Sequence, residues 1–180
     1  MNKMNKMNKM NKMNKMNKMN QQFNSPTQGK IGLSQVIFEI VRYIDREPKR
    51  SYELVIGTDS NGDKLADFVS AIVVHRIGHG GRYFWKKWNK KIIHSLREKI
   101  YQEVTLSLDL AQKIIVKLQD ELKKNGLPQY SLDIHIDVGE NGDTKDMIKE
   151  VVGMVRGNGF RAKYKPNSYG ASIVADKYTG

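Results

Sequence analysis

Between Tyr52 and Trp88, three runs of strand-forming residues follow one another with only short turns between them. Tyr52 to Asp59 is the first, Phe68 to Arg76, dense in β-branched residues, is the second, and Arg82 to Trp88 is the third. Ser60-Asn61-Gly62-Asp63 supplies turn chemistry at the first junction and Gly78-His79-Gly80-Gly81 at the second. Three strands joined this way predict an antiparallel meander.

The segments around the meander are helical or mixed. Ser34 reads as an N-cap, followed at helical spacing by Val36, Ile37, Ile40, Val41 and Ile44, and Asp45 to Arg50, with Pro48, ends that helix. Residues 21–33 read as linker. After the meander, a helix from about Ile92 to Lys124 carries Leu96, Ile100, Glu103, Ser107, Leu110, Ile114 and Leu118 on one stripe, with room for a kink along its length. Gly126 and Pro128 stop it. A strand from Ser131 to Val138 leads to a helix capped by Asp143 or Thr144, whose buried face is Met147, Ile148, Val151, Val152, Met154 and Val155. Phe160 to Lys165 forms a fifth strand, and Pro166-Asn167-Ser168 starts a terminal helix. After one leading helix the order is β-β-β-α-β-α-β-α, an α/β arrangement.

At 180 residues the chain is expected to hold one domain, residues 33–180, behind a tail and linker at 1–32. The tail opens with six copies of Met-Asn-Lys, whose period of three gives methionine no fixed helical face, so a disordered extension is expected. Of the formal net charge of +12, six units are lysines of this tract, leaving +6 on the rest, which suits a polyanionic partner. There is no cysteine, hence no disulfide framework, and no apolar run approaches the ~18 residues that span a bilayer. With no apolar signal-peptide core at the N-terminus, the expected location is the cytoplasm.

Four carboxylates interrupt this pattern. Asp59 follows the apolar run Leu54-Val55-Ile56-Gly57-Thr58, Asp137 ends the fourth strand, Glu103 lies on the stripe of the long helix, and Asp176 sits in the terminal helix. A carboxylate within an apolar pattern is costly to bury unless something pairs or coordinates it. Clustered oxygen ligands are what hard divalent cations use. Each residue also has a plainer reading: Asp59 and Asp137 as turn formers, Glu103 as an edge residue reaching solvent, and Asp176 as a surface charge near the terminus. Asp59 to Asp63 and Asp137 to Gly142 look superficially like calcium loops, but Lys64 and Ile148 stand where the loop's glycine and bidentate glutamate belong. The four histidines lack zinc-like spacing.

Several motifs, in order, carry a resemblance. Ile56-Gly57-Thr58-Asp59-Ser60, Phe68-Val69-Ser70-Ala71-Ile72-Val73-Val74-His75-Arg76, His135-Ile136-Asp137-Val138-Gly139, Val152-Gly153-Met154-Val155 and the tail from Lys165-Pro166-Asn167-Ser168-Tyr169 through Ala175-Asp176 resemble the bacterial YkuK family. That family is placed in the ribonuclease H-like superfamily, and the resemblance covers roughly residues 33–180. It implies a five-stranded mixed sheet flanked by helices. It also implies a metal-dependent nuclease or phosphodiesterase acting on RNA or DNA, in which Asp59, Glu103, Asp137 and Asp176 would ligate two Mg2+ or Mn2+ ions. A non-catalytic nucleic-acid-binding module and a structural or regulatory protein with a degenerate site are the alternatives.

The stretch Arg82 to Lys91 interleaves cations with aromatics, as nucleic-acid grooves do, so Trp85, Lys86, Lys87 and Lys90 are candidate contacts. Lys163 and Lys165, alternating with Ala162 and Tyr164 on the fifth strand, are further candidates. The plainer reading is a strand with its rings in the core and its lysines in water.

Overall fold

The computed structural model describes residues 22–140, 144–168 and 170–179. The Met-Asn-Lys tract, expected to be disordered, and the candidate cap Asp143 lie outside the described residues. The chain forms β1 (Gln22–Ser25), β2 (Gly29–Gly32), α1 (Leu33–Asp45), β3 (Tyr52–Asn61), β4 (Leu65–Arg76), β5 (Gly81–Lys87), β6 (Lys91–Ile92) and α2 (Leu96–Lys124). Then come β7 (Leu132–Ile136), a 3-10 turn (Lys145–Met147), α3 (Ile148–Gly157), β8 (Arg161–Tyr164) and α4 (Gly170–Asp176).

The meander forms as its short turns require, with β4 antiparallel to both β3 and β5. β7 then joins β3 in parallel and β8 joins β7 in parallel, completing a five-stranded mixed core. The full order is β2-β1-β5-β4-β3-β7-β8, with β6 paired to β4. The first two strands correct the linker reading of residues 21–33. Phe23 there is 2% exposed and packs into the main core, while Asn24 pairs with Trp85 of β5. Phe23 and Ile31 are the only large apolar residues of that hairpin, too few to produce a recognisable alternation.

The helix boundaries shift as well. Gly32, not Ser34, occupies the cap of α1, without a side-chain hydrogen bond. α2 begins at Leu96, where Ser95 Oγ accepts from the Glu98 amide at 3.1 Å, and runs unbroken for 29 residues. The residues before it are taken by β6, whose main chain pairs with β4. Thr144 caps only the 3-10 turn, also without a side-chain bond. No helix among the described residues is long and apolar enough to cross a membrane.

β3 has two working faces, because successive strand side chains alternate. Tyr52, Leu54 and Ile56 join the main core under α1, α2 and α3. Val55 turns the other way and packs with Val69, Ala71, Ala171 and Ala175, placing the short α4 on the opposite side of the sheet. Close contact there depends on Gly57. A Cβ at this position would lie 2.9 Å from Ala171 Cβ and 3.3 Å from the His135 carbonyl oxygen.

That spacing yields a stability prediction. Gly57→Ala should lower unfolding stability by about 1–3 kcal/mol through overpacking, because its methyl meets a side chain and a backbone oxygen. Urea denaturation of the two proteins measures it. An unchanged midpoint and slope would show that α4 does not need to sit this close.

Candidate functional site

Asp59 is the eighth residue of β3 and projects from the α4 side of the sheet. Asp137 is the first residue beyond β7, whose strand ends at Ile136, short of the expected Val138. Because β7 runs parallel to β3, the two aspartates emerge at the same end of the sheet. Asp176 closes α4 and completes the set. These three carboxylates line one concavity of about 430 Å³, with Lys165, Pro166, Ser168 and Ile173 as its remaining wall. Ser168 Oγ fixes that wall by donating to the Ile136 carbonyl at 3.0 Å.

Glu103 reaches the site from the other side. It stands on the second turn of α2, is 7% exposed, and accepts a hydrogen bond from Ser60 Oγ at 2.5 Å. Ser60 follows Asp59 in the strand, so the two project to opposite faces, and Glu103 lies within electrostatic reach of Asp59 and Asp137. One turn along α2, Ser107 Oγ donates to Thr58 Oγ1 at 2.8 Å, and Thr58 shares a 2.6 Å hydrogen bond with Ser70. Hydroxyls thus knit α2 to β3 and β4 beneath the site. Ser60 is the positioning residue that sequence reading misses; its signal is a hydroxyl at the first inward position after the strand's aspartate.

The electrostatics are those of anions held together without enough counter-charge. Burial, reinforced by Asp137 and Asp176, pushes the Asp59 carboxyl up to about 6, against the opposing Ser60 amide and Lys99. Burial also pushes Glu103 up to about 8, aided by Asp59 and Asp137 and opposed by the Ser60 hydrogen bond and Lys99. Lys165 Nζ lies 2.6 Å from Asp137 Oδ1, an ion pair that still leaves this buried oxygen without a well-directed hydrogen bond. The contact with Asp137, followed by Asp59, holds the Lys165 ammonium above its ordinary range.

The donor set therefore fits a hard cation: all oxygen, two carboxyls with raised proton affinity, and one buried oxygen poorly satisfied. Among the described residues, however, no three acidic or histidine side chains converge into a ready-made cage. The structure thus brings Asp59, Asp137 and Asp176 to one pocket, with Glu103 adjacent behind the strand end.

The basic candidates fare differently. Lys86 is 4% exposed, with Nζ 3.6 Å from the Trp88 ring centroid. Burial lowers its ammonium to about 8. It faces the core, which corrects its assignment as a phosphate contact. Trp85 stacks on Tyr178, centroids 3.8 Å apart and planes 8° apart, so that ring face is already occupied. Lys87 is exposed, and Lys90 pairs with Asp67 at 2.8 Å. Lys163 pairs with Glu53 and, at 3.3 Å, with Asp133. Lys165 is the candidate cation that lies at the carboxylate pocket.

The raised carboxyls predict a pH effect. Unfolded carboxyls lose their protons near pH 4, whereas Asp59 and Glu103 keep theirs to about 6 and about 8. Between those limits the folded chain binds more protons, so these groups make stability fall as pH rises. In chelator, Glu103→Gln keeps an acceptor for Ser60 and removes the charge. The wild-type-minus-variant difference in unfolding free energy should therefore grow from near zero at pH 4.5 to on the order of 2 kcal/mol in the variant's favour at pH 8. Urea titrations across that range read it. A variant less stable than wild type at pH 8 would mean the buried charge is not a burden.

The comparisons with known proteins agree with this architecture. A family model described as Ribonuclease H-like matches residues 35–180. A protein of Bacillus subtilis (strain 168), "Uncharacterized protein YkuK", is 32% identical over 165 residues, covering 87% of this chain and 96% of the relative. No solved structure gives a significant match.

Proposed function

The chain belongs to the ribonuclease H-like family, and from that premise we propose that it is a metal-dependent nuclease cleaving phosphodiester bonds of RNA or DNA. The observation that carries the reading is the meeting of Asp59, Asp137 and Asp176 in one pocket, with Glu103 within electrostatic reach. Family membership supports a nuclease-type fold; the carboxylates and their raised proton affinity support the chemistry.

Asp59, Glu103, Asp137 and Asp176 would hold Mg2+ or Mn2+. When bound, such ions stabilise the attacking and leaving oxygens of a phosphodiester displacement. The chain's own residues prepare the ground for it. Asp59, at the centre of the set, concentrates negative charge between β3 and α4. Ser60 holds Glu103 by one oxygen and leaves the other for coordination. Lys165, paired with Asp137, would supply the positive charge for a phosphate at the pocket.

Binding without turnover is the second reading, favoured by the absence of a converged three-ligand cage among the described residues. One experiment separates the two. Labelled single strand, duplex, hybrid and junction substrates are incubated with wild type and Asp59→Asn in Mg2+, Mn2+ or chelator. Metal-dependent cleavage is expected from wild type and a loss of at least about 100-fold from Asp59→Asn, since asparagine lacks the negative charge that would hold a cation. Thermal stabilisation by Mn2+ should be smaller in the variant. Equal cleavage by both proteins would remove Asp59 from the mechanism. Salt-sensitive binding that needs no metal, with no cleavage of any substrate, would establish the second reading.

A further inference from the structure

On the α4 side of the sheet, beside the carboxylate pocket, lies a second cavity of about 470 Å³, within the roughly 300–1,000 Å³ range of small-molecule sites. Its floor is a row of cross-strand partners, Val55 against Val73 and Val73 against Tyr83. α4 clusters with Val55 through Ala171 and Ala175, and Tyr178 just beyond it shares a 3.1 Å hydroxyl hydrogen bond with Tyr83, so this end of the chain bounds one side of the row and the cavity occupies the other. His135, Asn167 and the ion-paired Lys163 and Glu53 also line it.

His135 is the unusual member. It is 4% exposed, yet neither Nδ1 nor Nε2 has a hydrogen-bond partner among the described residues. A buried imidazole with both nitrogens unsatisfied costs stability, and native interiors rarely retain one without a use. The ring lines the cavity, so an incoming group can satisfy it. A neutral imidazole presents one donor and one acceptor, and the Asn167 carboxamide presents both kinds. The partner demanded is planar, with an apolar face for the valines and the Tyr83 ring and a donor–acceptor edge for His135. A nucleobase has that form.

The cavity's place relative to the carboxylates agrees. His135 and Asp137 are two residues apart on one face of the chain, about 7 Å along an extended strand. The loop holding Lys165, Pro166 and Ser168 at the carboxylate pocket contributes Asn167 to this cavity. The two concavities share a wall.

Resting on the nucleic-acid reading above, we propose that this cavity is a base-binding subsite, taking one nucleobase edge-on to His135 and face-on to Tyr83 beside the carboxylate pocket. The base can belong to a free nucleotide or to a strand. A phosphate attached to it falls toward Lys165 and the carboxylates, so the subsite sets which linkage of a bound strand reaches them.

The test uses the full chain and two variants. His135→Phe keeps the ring's bulk and removes both nitrogens; Val73→Phe fills the cavity from its floor and leaves His135 alone. AMP, GMP, CMP and UMP are titrated calorimetrically, and a short single-stranded oligonucleotide and an abasic oligomer of equal length are titrated by fluorescence anisotropy. Saturable binding weakened at least tenfold by both variants is expected. If the mononucleotides show it, the cavity accepts free nucleotides; if only the intact oligonucleotide does, it serves a strand. His135→Phe should also be at least as stable to urea as wild type, since it relieves two unsatisfied buried atoms. Unchanged affinities in both variants, or an abasic oligomer binding as tightly as the intact one, would overturn the proposal. Base binding that depends on His135 in a protein that cleaves nothing would leave the subsite standing and remove only the nuclease reading. Cleavage that ignores both variants would do the reverse.

Discussion

Everything in this molecule is organised by the two-sidedness of β3. The strand runs through the middle of the sheet, hydrogen-bonded to β4 on one side and β7 on the other, and strand alternation divides its residues between two environments. Tyr52, Leu54 and Ile56 fill the main core, and Thr58 and Ser60 continue that face with hydroxyls aimed at α2. Val55, Gly57 and Asp59 face α4. A one-residue slip would put Asp59 into the core and Ile56 against α4, so register and site are set by the same hydrogen bonds.

The same division explains how charge is distributed across β7 and β8. Leu132, Ile134 and Ile136 point into the main core, leaving Asp133, His135 and Asp137 on the opposite face. β8 answers with Arg161 on Asp133 and Lys163 on Asp133 and Glu53, and the residue after it, Lys165, pairs with Asp137. Asp133, only 1% exposed, has two cations and Asp137 has one, each aspartate keeping one oxygen without a well-directed hydrogen bond, and both nitrogens of His135, between them, lack a hydrogen-bond partner among the described residues. Counter-charge thins along the row, from two cations on Asp133 to one on Asp137, toward the end where the carboxylates gather.

Much of this was legible in the chain because it depended on local periodicity. The meander, the long helix, the parallel fourth and fifth strands and the terminal helix follow from runs of β-branched residues, a 3.6-residue stripe and glycine stops. The carboxylates stood out as interruptions of those runs. What escaped was decided by tertiary contact. The β1–β2 hairpin carries almost no alternation of its own and exists because Phe23 has a core to enter and β5 an edge to offer. Lys86 sits among cations and rings in sequence, yet strand parity turns it inward beside Trp88. The Ser60–Glu103 hydrogen bond joins residues 43 apart, and the cavity at His135 is a property of the sheet face rather than of any segment.

The hairpin also changes how the sheet ends. Its outer strands are β2 and β8, each four residues long, the first carrying Lys30 between glycines and the second carrying Arg161 and Lys163. An open sheet invites recruitment of further strands along its unpaired backbone, and long, flat, apolar margins are where that growth begins. Here the long strands, β3 and β4, are interior, and the margins are brief and cationic. Two copies brought together edge to edge would gain only a few backbone hydrogen bonds. The same fringe that lengthens the sheet therefore shortens the backbone left open at either margin.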